Sequence, residues 1–329
     1  MLNESYFQDV RYFALARQAL LAAFKTLDLK AGDQVLLPGF ICREVLAPLH
    51  MLGLEPVYYE VSKSLRPLEL PRLPRVRAVL AVNYFGFAQD LEPFRKYCEE
   101  SSSYLIEDNA HGYLSIDPSG QPLGSRGDIG IFSMRKTFSI PDGSMLKVNN
   151  QDLLKNLPAQ LPLVKASPSF SSQAKTLLLK IERKIGFKLL WHARQIVRIF
   201  RQFLTGQAIV HTADDTEFMM SAEAAPLAAS LDILKRQEPK LETARRRQLY
   251  REFDQRLKGL GVEPVFDQLP ELTVPYGYVF YAEADIANKV RKITSSYHFD
   301  CFLWPELPSA IQDNAPPHYR SLWVVNFIC

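Results

Sequence analysis

The feature that most limits how this chain can fold lies in its first half. Short apolar runs of strand length alternate there with segments of helical spacing. Residues 34–38 (QVLLP), 56–59, 77–82 (RAVLAV), 104–108 (YLIED), 129–133 and 144–148 read as strands. Residues 12–28, 42–53 and 90–100 carry apolar positions at helical intervals, and Gly53 stops the second of these segments. Nearly continuous apolar strands that alternate with helices predict an α/β fold, in which a largely parallel sheet is covered on both faces. Ligands of such sheets gather beyond the carboxyl ends of the strands. Asn83, Asp108 and Ser133 each fall at such an end.

A chain of 329 residues suits two domains better than one. Its 47% hydrophobic and 23% charged residues build a sizeable core, which excludes a disordered, collagen-like or disulfide-scaffold class. A net charge of +3 does not mark a nucleic-acid binder. Cysteines at 42, 98, 301 and 329 form no CxxC pair, so neither a zinc nor a redox motif is expected and the thiols read as reduced. No G-x-G-x-x-G turn follows a predicted strand, which argues against a dinucleotide enzyme. The first residues lack a basic segment followed by an apolar one, and no apolar run reaches the ~20 residues of a bilayer span. The expectation is a cytoplasmic protein.

The middle of the chain differs. Residues 156–173 are rich in Pro, Ser and Ala and read as a loop. Residues 174–204 hold eight Lys/Arg and one Glu, with Leu178, Ile181, Ile185, Leu189, Ile196, Ile199 and Phe203 at helical spacing. This basic amphipathic segment suits a surface helix packed on its own domain or on a subunit partner. Peripheral contact with anionic lipid or a polyanionic sugar carrier is the sharper alternative. Residues 220–260 read as a long helical region, charged from Lys235 onward, which Pro239 kinks or splits. A strand at 276–281, a helix at 285–296, a Pro-rich loop at 305–317 and a strand at 324–328 follow. We expect a large domain over 1–225, including 174–204, and a small C-terminal α+β domain over 226–329.

Chemistry concentrates in residues 107–147. Glu107-Asp108-Asn109-Ala110-His111 follows a strand. Gly127-Asp128 opens the next one, which ends in Phe132-Ser133-Met134-Arg135-Lys136, and Asp142-Gly143 forms a turn. A carboxylate at one strand end, a hydroxyl at another and a lysine just beyond suit a phosphorylated pyridine cofactor. The carboxylate would keep the ring nitrogen protonated, the hydroxyl would bind phosphate, and the lysine would join the cofactor covalently.

These residues resemble the DegT/StrS family of sugar aminotransferases, pyridoxal 5'-phosphate (PLP) enzymes of the aspartate-aminotransferase fold, the fold type I of PLP-dependent transferases. Glu107-Asp108-x-Ala110-His111 is similar to the family's E-D-x-A-[HQ], and Gly127-Asp128 through Phe132-Ser133 to its G-D-x-x-x-F-S. Lys136 stands six residues before Asp142-Gly143, the spacing of the family's lysine to its [ED]-G turn. Residues 31–38 (AGDQVLLP) resemble an early G-D-E-V-x-x-P strand, and Val82-Asn83-Tyr84-Phe85-Gly86 a short motif ending in Gly.

The resemblance implies a homodimeric transaminase that moves an amino group from glutamate or a similar donor to a nucleotide-linked keto-sugar. A PLP-binding or regulatory protein of the same fold, without turnover, is the alternative. Lys136 would be the covalent attachment point and proton shuttle. Asp108 would pair with the ring nitrogen, although it also reads as a strand-end cap. His111 would bond the cofactor's phenolic oxygen or stack near the ring. Ser133 would reach the phosphate, and Arg135 would supply charge to it. Phe40 would cover a ring face or belong to the core.

Departures from the family are equally specific. Ser133 and Lys136 are three apart, where the family usually has five. The first helix opens with Ala14-Leu15-Ala16-Arg17, which offers Ala16 and its neighbours as backbone N–H donors but no hydroxyl. The family's Asn-x-Arg-Met segment, which reaches the partner subunit's site, appears as Glu217-Phe218-Met219-Met220, and Glu217 is expected to serve another purpose. The chain is short for the family, and a further helix would be expected beyond its last strand.

Overall fold

The computed structural model describes residues 8–71, 76–165, 214–221 and 223–328. The basic segment 174–204 lies outside the described residues. The first sheet is built from β1 (Val10–Phe13), β2 (Gln34–Pro38), β3 (Glu55–Tyr59), β4 (Val76–Val82), β5 (Tyr104–Asn109), β6 (Ile129–Phe132) and β7 (Ser144–Val148). Its order is β1-β7-β6-β5-β4-β2-β3. Strands β3, β2, β4, β5 and β6 run parallel, and β7 and β1 close one edge antiparallel. Every residue of β6, and nearly every residue of β2 and β4, is buried, as a sheet covered on both faces requires.

Helix α1 (Ala16–Thr26) packs on β6 and β7, α2 (Ala47–Leu52) follows β2, and α3 (Glu92–Ser101) packs on β4 and β5. Helix α2 ends at Gly53, whose φ of 65° supplies the left-handed cap. One expectation needs correction at the start of the chain. Helical spacing over 12–28 suggested a single helix, yet Tyr12 and Phe13 belong to β1, which pairs with β7 from Val10↔Lys147 to Phe13↔Ser144. An apolar run this short fits either period, and the free edge of β7 selects the strand.

A second, antiparallel sheet of order β10-β11-β9-β8 holds β8 (Glu263–Pro264), β9 (Gly277–Tyr281), β10 (Cys301–Leu303) and β11 (Leu322–Asn326). The helical region before it is split as expected at Pro239, giving α4 (Ala228–Lys235) and α5 (Pro239–Leu257) with the proline in the first turn of α5. Helices α6 (Ala284–Ser296) and α7 (Ser309–Gln312) complete this part. One continuous core joins the two sheets, from Leu36, Val79 and Phe85 to Val279, Phe280 and Val324. Backbone bonds cross the junction, such as Tyr276 N–H to Phe85 O at 2.8 Å. Among the described residues no helix is long and apolar enough to cross a membrane.

Gly130 in β6 shows how closely the sheet is covered. A Cβ there would lie 2.0 Å from the carbonyl oxygen of Gly124. Since that contact is backbone, no side-chain motion relieves it. Gly130→Ala is expected to destabilise the fold by about 3 kcal/mol, read as a lowered urea midpoint. An unchanged midpoint would contradict this packing.

Candidate active site

The carboxyl ends of β4, β5 and β6 open onto a cavity of about 310 Å3, within the usual range of small-molecule sites. Asn83, Asp108 and Ser133 line it, each supplied by its strand end as the pattern predicts. Ala16, His111, Arg135 and Lys136 line it too, so six of the seven sequence-derived candidates share one space. Phe40 does not. Its ring is fully buried behind the wall, 5.2 Å from Trp304 and 4.7 Å from Tyr319. The assignment of Phe40 to a ring face is therefore corrected to core, because β2 ends too deep to present it.

Lys136 sits in a helical turn, Met134–Lys136, directly after β6. That turn is tied to the entry of α1 through Gly143, whose N–H donates to Ala14 O at 2.8 Å and whose carbonyl accepts from Arg135 N. The first turn of α1, with Leu15, Ala16 and Arg17, thereby faces the same cavity. First-turn N–H groups lack acceptors within their own helix. Ser133 Oγ is buried and has no hydrogen-bond partner among the described residues. A buried hydroxyl without a partner costs free energy, on the order of 1–3 kcal/mol, unless a ligand satisfies it. Arg135 and Arg17 add two guanidinium groups to the lining.

Asp108 accepts a hydrogen bond from Ala110 N–H at 2.9 Å. Burial pushes its carboxyl above the usual carboxylate range, while the Ala110 N–H and the Lys136 amine pull it back down. A positively charged ring nitrogen beside it would offset that burial. Cys42, also in the lining, is pushed up to about 12 by burial and stays a thiol.

His111 is held edge-on. Phe85 N–H donates to its Nδ1 at 3.3 Å, so in the neutral ring the proton sits on Nε2, which faces Lys136 Nζ at 3.1 Å. Tyr276 stacks on one side of the imidazole at 4.4 Å and Phe85 lies near-parallel at 5.4 Å. Tyr276 and Phe85 are themselves only 6.4 Å apart, so they do not sandwich the imidazole, and Tyr276 alone stacks closely on it. Burial first, then the Lys136 and Arg246 charges, holds His111 well below the ordinary histidine range. Below about pH 6.5 the unfolded chain takes up a proton that this ring refuses. Stability is therefore lost as pH falls from about 6.5 to 5, by up to about 2 kcal/mol, and is unaffected above that window. Thermal melts should show a smaller loss over this interval in His111→Gln. Equal losses would contradict the assignment.

Other residues of the motifs have structural work. Glu107 points away from the cavity and binds Arg126 Nε at 2.9 Å and Asn83 Nδ2 at 2.8 Å. Asp128 accepts from Leu105 N–H and Asn150 Nδ2. Asp142 accepts from Leu227 N–H and Ser230 Oγ at the start of α4. Glu217 bonds Arg43 Nε at 3.1 Å and both the N–H and the hydroxyl of Ser309, as the departure from the family pattern suggested. Removing one partner of this buried pair would cost about 3–5 kcal/mol.

Sequence reasoning missed Tyr276 and Trp304, which close the cavity from the second sheet. Nothing local marks them, since the topology alone brings them to the strand ends. A larger groove of about 770 Å3 runs between Tyr113–Ile116 and α5. Its Arg247 is engaged by the Pro270 and Thr273 carbonyls, and although Lys240, Glu271 and Thr243 line it, none of the strand-end residues Asn83, Asp108 and Ser133 does.

Fold and cavity together define a class, the PLP-dependent aminotransferase fold. Spr1654 of Streptococcus pneumoniae, solved in its PLP form, superposes with a TM-score of 0.61 at 14% identity, covering 97% of this chain and 82% of that one. Residues 13–161 match the model of the DegT/DnrJ/EryC1/StrS aminotransferase family, which bears out the resemblance read from the motifs. The chain is 30% identical over 143 residues to GDP-perosamine synthase of Vibrio cholerae, covering 41% of this chain and 38% of that protein. It is 26% identical over 152 residues to UDP-N-acetyl-3-dehydro-alpha-D-glucosamine 3-aminotransferase of Acidithiobacillus ferrooxidans, covering 44% and 41%. The matches thus span less than half the length of these curated relatives.

Proposed function

We propose that the chain is a PLP-dependent aminotransferase that passes an amino group from glutamate or a similar donor to a nucleotide-linked keto-sugar. It would act as a cytoplasmic homodimer, with 1–225 as the cofactor-binding part and 226–329 as the smaller part. The observation that carries the reading is the convergence in one cavity of Lys136, Asp108 and the Ser133 hydroxyl, which has no partner among the described residues. The names of the two curated relatives, both of nucleotide-sugar enzymes, support the acceptor class.

The residues present fit PLP. Ser133 Oγ, the first-turn N–H groups of Ala16 and Arg17, and the Arg135 and Arg17 guanidinium groups would hold its phosphate. Asp108 would keep a proton on the ring nitrogen, and Lys136 Nζ would anchor the aldehyde carbon. When bound, the cofactor supplies an electron sink for the bond broken at the amine-bearing carbon. Lys136 Nζ would carry a proton between the reacting carbons. The Nε2–H of His111, 3.1 Å from Lys136 Nζ, would orient that amine by donating to it when Nζ is uncharged. Tyr276 and Trp304 keep water from that side of the site.

A test needs purified protein, PLP, an amino donor such as glutamate and a nucleotide keto-sugar. Loss of the visible absorbance of bound PLP on adding glutamate, and its return on adding a nucleotide keto-sugar, is the expected result. A band that forms and stays unchanged with glutamate and other amino donors would favour binding without turnover. The hydroxyl-free opening of α1 and the inward-turned Glu217 are the features that keep this second reading in view.

A further inference from the structure

Helix α5 carries three consecutive arginines, and their sequence alone suggests a solvated face. The structure uses all three to hold backbone carbonyls. Arg245 reaches Phe327 O and Arg247 reaches Pro270 O and Thr273 O. Arg246, between them, is only 1% exposed. Its Nη2 donates to Lys136 O at 3.1 Å and Thr137 O at 2.7 Å. Its Nη1 donates to Pro275 O at 3.2 Å and Tyr276 O at 3.1 Å, and its Nε to Glu242 Oε1 at 2.6 Å.

One planar guanidinium therefore ties the Lys136 turn to the segment that carries Tyr276. Tyr276 stacks on His111, and His111 Nε2 meets Lys136 Nζ. These contacts form a closed circuit from Arg246 through the lysine backbone, the lysine amine, the imidazole and the tyrosine back to Arg246. We propose that Arg246 is a positioning residue, which sets the Lys136 amine against His111 by clamping the Lys136 turn and the Tyr276 segment with a single fork. This rests on the reading of Lys136 as the covalent residue, and concerns how that amine is aimed. A lysine at 246 would keep the charge but could not span four carbonyls, so the fork geometry is the property at stake.

The test reads the amine itself, without cofactor. The full chain is labelled with trace acetic anhydride, and the labelling ratio of Lys136 to the exposed Lys30 is measured by mass spectrometry across pH 7–10. Leu257→Ala, a buried position on the same helix, supplies a control for general destabilisation. In folded Arg246→Met the ratio is expected to change on the order of tenfold, with Arg246→Lys between it and wild type and the control unmoved. A parallel run with PLP and borohydride should show the same order in the labelling of Lys136.

A wild-type ratio in folded Arg246→Met overturns the proposal while leaving the reading of Lys136 intact. An equal change in Leu257→Ala at matched melting temperature also overturns it, since the effect would then follow stability. Failure of PLP to label Lys136 in the wild-type chain would sink the underlying reading, and the proposal with it. Should Arg246→Met not fold, Arg246→Lys decides alone, and a wild-type ratio in it counts against the clamp.

Discussion

Lys136→Ala is expected to lower the rate of the glutamate half-reaction by about 10⁴-fold while leaving the fold intact. The side chain is half-buried in the cavity wall, its recorded partner is His111 Nε2, and its loss removes no core contact. The melting temperature should therefore move little, while covalent capture of PLP disappears. Added methylamine should restore part of the rate, because a free amine can carry the proton that Lys136 would carry. The measurement is single-turnover absorbance after mixing PLP-loaded protein with glutamate. A variant that still turns over within tenfold of wild type would show that another group does this work.

Asp108→Ala carries the second large effect. A carboxylate in this half-buried position stabilises a positive ring nitrogen more than it would in water, because few other dipoles compete. Its removal is expected to cost about 10³-fold in the same half-reaction. Asp108→Asn should resemble Asp108→Ala, since an amide cannot supply the charge, whereas Asp108→Glu should retain more activity. PLP would still be held through its phosphate and Lys136, so cofactor occupancy should fall less than the rate. A rate within threefold of wild type in Asp108→Ala would contradict the placement of the ring nitrogen.

Both predictions rest on a part of the site that was legible in the sequence. Strands β4, β5 and β6 are near-continuous apolar runs, and the first polar residue after each run must emerge at the same edge of a parallel sheet. Asn83 and Ser133 follow from that rule, Asp108 is the second of two acids that follow the β5 run, and Lys136 lies one turn further on. Alternation within β5 then separates Asp108 from Glu107, which faces the Arg126 and Asn83 network on the other side. Adjacent acids in the motif thus have unlike roles, and sequence spacing alone did not sort them.

The rest was illegible for physical reasons. Tyr276 and Trp304 reach the cavity only because the second sheet docks on the first, and no local periodicity encodes that docking. Arg246 resembles its neighbours on a charged helix, and only the carbonyls it meets distinguish it. Phe40 went the other way. An aromatic after a buried strand suits either a ring-covering wall or a core, and the cluster with Trp304 and Tyr319 decided for the core. The early helix was misplaced because β1 is an edge strand whose pairing depends on β7, far along the chain.

The most direct test of the central claim is site mapping. Wild-type protein is mixed with stoichiometric PLP, reduced with borohydride, digested and sequenced by mass spectrometry. The account predicts a phosphopyridoxyl group on Lys136 in nearly every molecule and the loss of that label at other lysines. A label spread over surface lysines such as Lys30 and Lys63, with Lys136 unmodified, would contradict it.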